Sequence, residues 1–195
     1  ELVKLAEGRF TQAVAVRLGE VPRVQFRVPD RKGLPAPSRY ATLQCGASRR
    51  VVGYTEASRG CKHGCRHCPI VPVYNGQFRV VPVGVVLGDI RAQVDQGVQH
   101  ITFGDPDFFN GISHAMRVVD GFAREFSDLT YDVTIKVEHL LRYGDRLDRL
   151  TETGCVLVTS AFEAFDDHVL ATLLKGHTRA DAHQAVERCR NVGLA

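Results

Sequence analysis

"RVVGYTEASRGCKHGCRHCPI" (residues 50–70) runs from an apolar stretch into a loop with three cysteines and two histidines in eight positions. The apolar part predicts a buried strand over 50–58. Cys61, Cys65 and Cys68 then follow at C-x3-C-x2-C, with His63 and His67 between them. Three further cysteines stand far apart at 45, 155 and 189. A tight cluster of this kind reads as metal-binding or redox-active before it reads as a disulfide framework. Cys155 and Cys189 fall at apolar positions on a predicted strand and a predicted helix, and are read as small core residues.

Downstream of the loop the pattern is regular. "PVGVVLGDIRAQVDQG" (82–97) places Val83, Val86, Leu87, Ile90 and Val94 at helical spacing. "VQHITFGD" (98–105) is a second strand, entered from a glycine that suits a helix end. A helix over 112–126, a strand over 129–138, a helix over 139–154 and a strand over 155–163 follow. A short helix near 166–174 and a longer one over 179–192 come last, with Thr178 and Asp181 forming a capping box at the start of the longer. Strands alternating with helices call for parallel pairing and right-handed crossovers. The expected fold class is therefore α/β, the first part of a (β/α) TIM-type barrel of about four βα units, truncated at its C-terminal end. Chemistry in such folds gathers at the C-terminal ends of the strands. The cysteine loop lies there.

Residues 1–49 read differently and are expected to form a small extension and linker ahead of a core at 50–195. "VPRVQFRVPDRKGLPAPSRYATLQ" (21–44) suggests an edge strand at Val24, Phe26 and Val28, then a proline-broken linker. Over its 195 residues the chain is 44% hydrophobic and 24% charged, as an ordinary globular protein is. Its net charge of +3, with scattered arginines, is too small to argue for a nucleic-acid partner. No stretch reaches a membrane span, and no signal-peptide layout opens the sequence. A cytoplasmic location is expected.

Two metals fit the loop by residue type. A structural zinc site needs four ligands, which Cys61, Cys65 and Cys68 supply with a histidine or with Cys45. Zinc modules, however, draw their ligands from separated pairs, whereas these crowd one loop. An iron–sulfur cluster needs thiolates. Three of them on a [4Fe–4S] cube leave one iron open for chemistry.

C-x3-C-x2-C after the first strand of a βα series resembles the radical S-adenosylmethionine (SAM) superfamily. The resemblance implies that Cys61, Cys65 and Cys68 hold a [4Fe–4S] cluster whose open iron chelates the amino and carboxylate groups of SAM. An electron, from a donor such as flavodoxin or ferredoxin, then cleaves SAM to a 5′-deoxyadenosyl radical that abstracts hydrogen from an unidentified substrate. His67 occupies a place next to the third cysteine where the superfamily usually has an aromatic residue near the cofactor. "GDPDFFNG" (104–111) resembles the turn that meets the SAM amino group. Gly104 and Asp105 fit it best, with Asp107 as runner-up. Ser160 and Glu163 are implied at the methionine end or ribose of SAM. Lys136 and Glu138, at period two along the third strand, face the same rim or form an internal ion pair. No catalytic residue is assigned. His63 is read as a solvated loop residue and His177 as a structural residue at a helix start. From residue 45 to 195 the wording resembles the CUAEP/CCAEP-tail branch of the superfamily, whose substrate is undefined. "CPIVPVYNGQFRVVP" also resembles cobalamin-dependent radical enzymes, but the residues before the loop show no cobalamin-domain signature, and cobalamin is not expected. A zinc-binding module and a catalytically incomplete fragment are the competing expectations.

Overall fold

The structure, a computed structural model, describes residues 24–195. Residues 1–23 of the expected N-terminal extension lie outside the described part. The described residues form seven strands and seven α-helices, in chain order β1 (Ala41–Cys45), β2 (Ser48–Thr55), β3 (Ser58–Gly60), α1 (Ile70–Tyr74), β4 (Phe78–Val80), α2 (Val83–Val94), β5 (His100–Phe103), α3 (Ile112–Glu125), β6 (Thr130–Thr134), α4 (Val137–Arg142), α5 (Leu147–Glu152), β7 (Cys155–Thr159), α6 (Asp167–Thr172) and α7 (Arg179–Asn191).

Five strands form one sheet in the order β1-β2-β5-β6-β7. β2, β5, β6 and β7 run parallel, in register from Val52↔His100 to Thr134↔Thr159. The sheet curls into a half barrel of the TIM type, and it is built by the expected βα alternation. β1 adds antiparallel at the edge, with Cys45 opposite Ser48. β3 and β4 pair separately as a two-stranded ribbon flanking the cysteine loop.

Period-two alternation divides the two faces. Ile101, Phe103, Tyr131 and Val133 point to the helices and join Ile90, Val118, Phe122 and Leu150 in the core. Tyr131 meets Phe122 and Phe103 edge-on at 4.9 and 5.7 Å. Its hydroxyl is satisfied at 2.8 Å by Thr153 Oγ1, so the polar tip costs little inside. The alternate residues make a polar face. There His100 bridges Thr130 Oγ1 at 2.8 Å and Asp132 Oδ1 at 2.7 Å, and Thr102 donates to the same carboxylate at 2.6 Å.

Several boundaries differ from the sequence expectations. Residues 24–28 form no strand. Phe26 packs against the core instead, and just beyond it Arg31 donates to both oxygens of the buried Asp89 at 2.8 and 2.9 Å and to the Tyr54 carbonyl at 3.0 Å. The edge strand is Ala41–Cys45, and it lacks a buried face, so no alternation marked it. The helix expected over 139–154 breaks into α4 and α5 around a turn at Gly144–Arg146. Gly144 leaves room there for Arg188, whose guanidinium donates to the Leu141 carbonyl at 2.6 Å and caps α4. The capping box at Thr178 and Asp181 is formed as the spacing predicts. At the far edge, the Ala195 carbonyl accepts from Val158 N at 3.0 Å, beside β7.

Candidate functional site

β2 ends at the rim of the half barrel, and β3 carries the chain into the cysteines. Gly60 makes that entry with φ +85°, where an added Cβ would stand 2.5 Å from the Gln77 carbonyl. Only glycine fits. Cys61 and Cys68 are half-buried and Cys65 is buried, all as free thiols. Short turns follow, from Cys68 N to Cys65 O at 3.1 Å and from Val71 N to Cys68 O at 3.3 Å. Burial pushes the Cys61 thiol pKa up, against the pull of nearby hydrogen bonds from the loop and Asn110.

Every later strand exit sends a group to this loop. After β5, Asn110 Oδ1 accepts from Lys62 N at 3.3 Å and lies 3.8 Å from Cys61 Sγ, while its Nδ2 is buried with no partner. After β6, Lys136 Nζ donates to Glu138 Oε2 at 3.0 Å and meets His63 Nδ1 at 3.1 Å. After β7, Glu163 Oε1 stands 3.1 Å from His67 Nε2 and 3.4 Å from the ammonium of the buried Lys175. Arg66 N donates to Leu173 O at 3.0 Å, just past α6. Glu163 holds its place with φ 68°, a left-handed conformation unusual for a side-chain-bearing residue.

The two aspartates of the turn after β5 have separate surroundings. Asp105 is buried, and its oxygens accept from Ala57 N at 2.8 Å and Ser58 Oγ at 2.6 Å. Burial raises its pKa to about 6 despite those donors. Asp107 is also buried, yet its pKa falls to about 2. Burial alone would raise it, but His139, His63 and the Lys136 N–H outweigh that penalty. Asp107 Oδ2 lies 2.7 Å from His139 Nδ1 and 3.3 Å from His63 Nε2. Gly104 packs directly under the Tyr54 ring, where a Cβ would collide. Ser160 Oγ is buried without a partner.

Two sequence readings need correction. His63 is not a solvated loop residue; its side chain is 17% exposed and turned toward Asp107 and Glu138. β6 ends at Thr134, so Lys136 and Glu138 do not share a strand face; Lys136 is the residue before α4 and Glu138 lies in its first turn. They pair all the same, because a helix start brings such neighbours together. Sequence reasoning also passed over His139 and Asn110. Their signal was position alone, each lying a few residues beyond a predicted strand end.

The donor set fits a cluster better than a single ion. Cys45 sits opposite Ser48, at the far end of β2 from the loop, and an eight-residue strand spans roughly 20 Å or more. Cys155 and Cys189 are buried in the core, and burial lifts the Cys155 thiol pKa to about 12. His63 and His67 are turned to carboxylates. Ligands on one tetrahedral zinc lie roughly 4 Å apart; among the described residues, the group whose ligand atoms all come within 4.8 Å of one another is His63, Asp107 and His139, not the three thiols. Among those residues no helix is long and apolar enough to cross a membrane.

Comparison with known proteins agrees with this arrangement. The family model for the radical SAM superfamily matches residues 55–195. A bacteriochlorophyllide d C-12(1)-methyltransferase of Chlorobaculum tepidum is 25% identical over 133 residues, covering 67% of this chain and 28% of that protein. A tRNA-2-methylthio-N(6)-dimethylallyladenosine synthase of Salinispora arenicola is 32% identical over 96 residues, covering 43% and 19%. Among solved structures, the radical SAM methyltransferase TsrM of Kitasatospora setae, with cobalamin and a [4Fe–4S] cluster bound, superposes with a TM-score of 0.63 at 18% identity, over 74% of this chain and 30% of that one. The cobalamin-dependent SAM radical enzyme OxsB, with aqua-cobalamin bound, gives 0.64 at 18% identity, over 72% and 22%. This chain spans less than a third of the length of each of these four relatives. With the family match running from the end of β2 through every later strand, the chain belongs to the radical SAM superfamily.

Proposed function

We propose that this chain carries the cluster- and SAM-binding half barrel of a radical SAM enzyme acting on an unidentified substrate. Residues 50–195 are its core and 1–49 its extension, and the wording of the loop supports placement in the CUAEP/CCAEP-tail branch. One observation carries the reading. Three thiols stand on the rim loop, no fourth cysteine stands with them among the described residues, and the loop histidines His63 and His67 are turned to carboxylates. Three thiolates with an open fourth position suit a [4Fe–4S] cluster that takes SAM. That pair, when bound, supplies reductive cleavage of SAM to a 5′-deoxyadenosyl radical for hydrogen abstraction.

The chain's own residues bind and orient. Asn110 fixes the loop through Lys62 N and keeps an unpartnered N–H beside Cys61, suited to a sulfur acceptor. His67, Gly104, Lys136, Glu138, Ser160 and Glu163 surround the rim from which SAM is reached. Asp105 acts at one remove, because both oxygens already hold the start of β3. Free thiols at such a site suit a reducing compartment such as the cytoplasm, with a flavodoxin or ferredoxin as electron donor. Likeness to two cobalamin-dependent enzymes is a likeness of fold, and cobalamin is not proposed.

Anaerobic reconstitution tests the reading. About four irons and four sulfides per chain are expected, with broad visible absorbance. Stoichiometric zinc and no iron after reconstitution would favour the zinc module instead.

A further inference from the structure

His63, Asp107 and His139 come from three separate segments: the cysteine loop, the turn after β5, and the first turn of α4. His63 Nε2, Asp107 Oδ2 and His139 Nδ1 all lie within 4.8 Å of one another. The side chains of Asp107 and His139 are 2% and 6% exposed. The two ring nitrogens make charge contacts with the carboxylate at 3.3 and 2.7 Å, but none of the three buried atoms has a well-aligned hydrogen bond. A buried polar atom without a well-formed hydrogen bond is unfavourable. Three at one point is the arrangement a cation would relieve.

We infer that His63, Asp107 and His139 form a binding site for one divalent transition-metal ion of zinc's class, separate from the cluster thiols. Two imidazoles and a carboxylate suit a borderline ion rather than the all-oxygen preference of magnesium or calcium. Three protein ligands leave a fourth position open, as in catalytic rather than structural zinc sites. A ligating imidazole keeps its other nitrogen protonated and donates a hydrogen bond from it to an acceptor. Glu138 Oε2, 3.8 Å from His63 Nδ1, is placed to take it. Lys136 Nζ now contacts that nitrogen and also Glu138, so metal binding moves the ammonium onto Glu138 alone. The ion would tie the cysteine loop to the exits of β5 and β6.

Zinc itself is the probe. Cluster-loaded protein, whose three loop thiols are occupied, is incubated with Zn(II), freed of unbound metal by gel filtration and analysed for zinc and iron. About one zinc per chain is expected. It should be lost in Asp107→Asn and in His63→Ala, each checked for folding by circular dichroism, and iron content should be unchanged in His63→Ala. Glu138→Gln should weaken zinc affinity by about 10-fold. A Cys61→Ala/Cys65→Ala/Cys68→Ala variant, folded by circular dichroism, should still bind zinc, which separates this site from the cluster. No zinc in the wild type, zinc retained by His63→Ala, or zinc lost with the three cysteines would each overturn the inference.

Discussion

His67 Nε2 stands 3.1 Å from Glu163 Oε1, which joins the cysteine loop to the exit of the last strand. The loop is therefore not a free appendage. It is held on its far side by a residue that itself occupies a left-handed backbone conformation with φ 68°. For a side-chain-bearing residue that conformation costs about 1–2 kcal/mol, so the contacts with His67 and Lys175 act against local strain. Replacing Glu163 by Gln and by Gly separates the two effects. Both variants lose the carboxylate and should bind SAM more weakly, with iron content unchanged. Glu163→Gly should be the more stable in denaturant titrations, by up to about 1 kcal/mol, because glycine accepts positive φ.

Asp105 holds Ala57 N and Ser58 Oγ in a buried place. Asp105→Ala strands both donors, and leaving buried donors unpaired costs about 2–4 kcal/mol. Urea unfolding should show that loss. Hydrogen exchange should rise first in residues 57–68, because the start of β3 is released together with the cysteine loop.

The cysteines should divide cleanly. Cys61→Ala, Cys65→Ala and Cys68→Ala each remove a proposed cluster ligand, and iron content after reconstitution should fall close to background. Cys155→Ala and Cys189→Ala remove small buried side chains from the core. They should keep their iron and lose roughly 1–2 kcal/mol of stability. Loss of iron in either core variant would mean that the ligands have been misassigned.

His114 sets a pH dependence away from the rim. It is buried in α3, donates from Nε2 to the Ala57 carbonyl at 3.2 Å, and has its pKa lowered by burial first and by Arg117 as well. A histidine with a depressed pKa in the fold takes up its proton more readily when unfolded. Stability is therefore full above the unfolded value of about 6.5 and declines as pH falls below it. Asp105, with its raised pKa, pulls the other way over this range, so the readout is the difference. On going from pH 7.5 to pH 5, chemical unfolding should show His114→Gln losing less stability, or gaining more, than the unchanged protein.

Much of this was legible in the sequence, for a physical reason. Strands and helices that bury one face repeat their apolar residues at period two or 3.6, and α2, β5, α3, β6 and β7 all do so. The capping box at Thr178 and Asp181 was readable because it is local. β1 was not, since an exposed edge strand has no buried face to pattern it. The break between α4 and α5 depends on Arg188, more than forty residues away along the chain. At the site, the cysteine spacing was plain in one short stretch. The burial of His63 was hidden, because its neighbours Asp107 and His139 come from the exits of two other strands.

The central claim is that Cys61, Cys65 and Cys68 hold a cluster with one iron open to SAM. Electron paramagnetic resonance of the dithionite-reduced, anaerobically reconstituted protein tests this most directly, recorded with and without SAM. The expected result is a reduced [4Fe–4S] signal that disappears in Cys65→Ala and whose g-values shift when SAM is added. A cluster signal indifferent to SAM, or no cluster signal from a loop occupied by zinc, would contradict it.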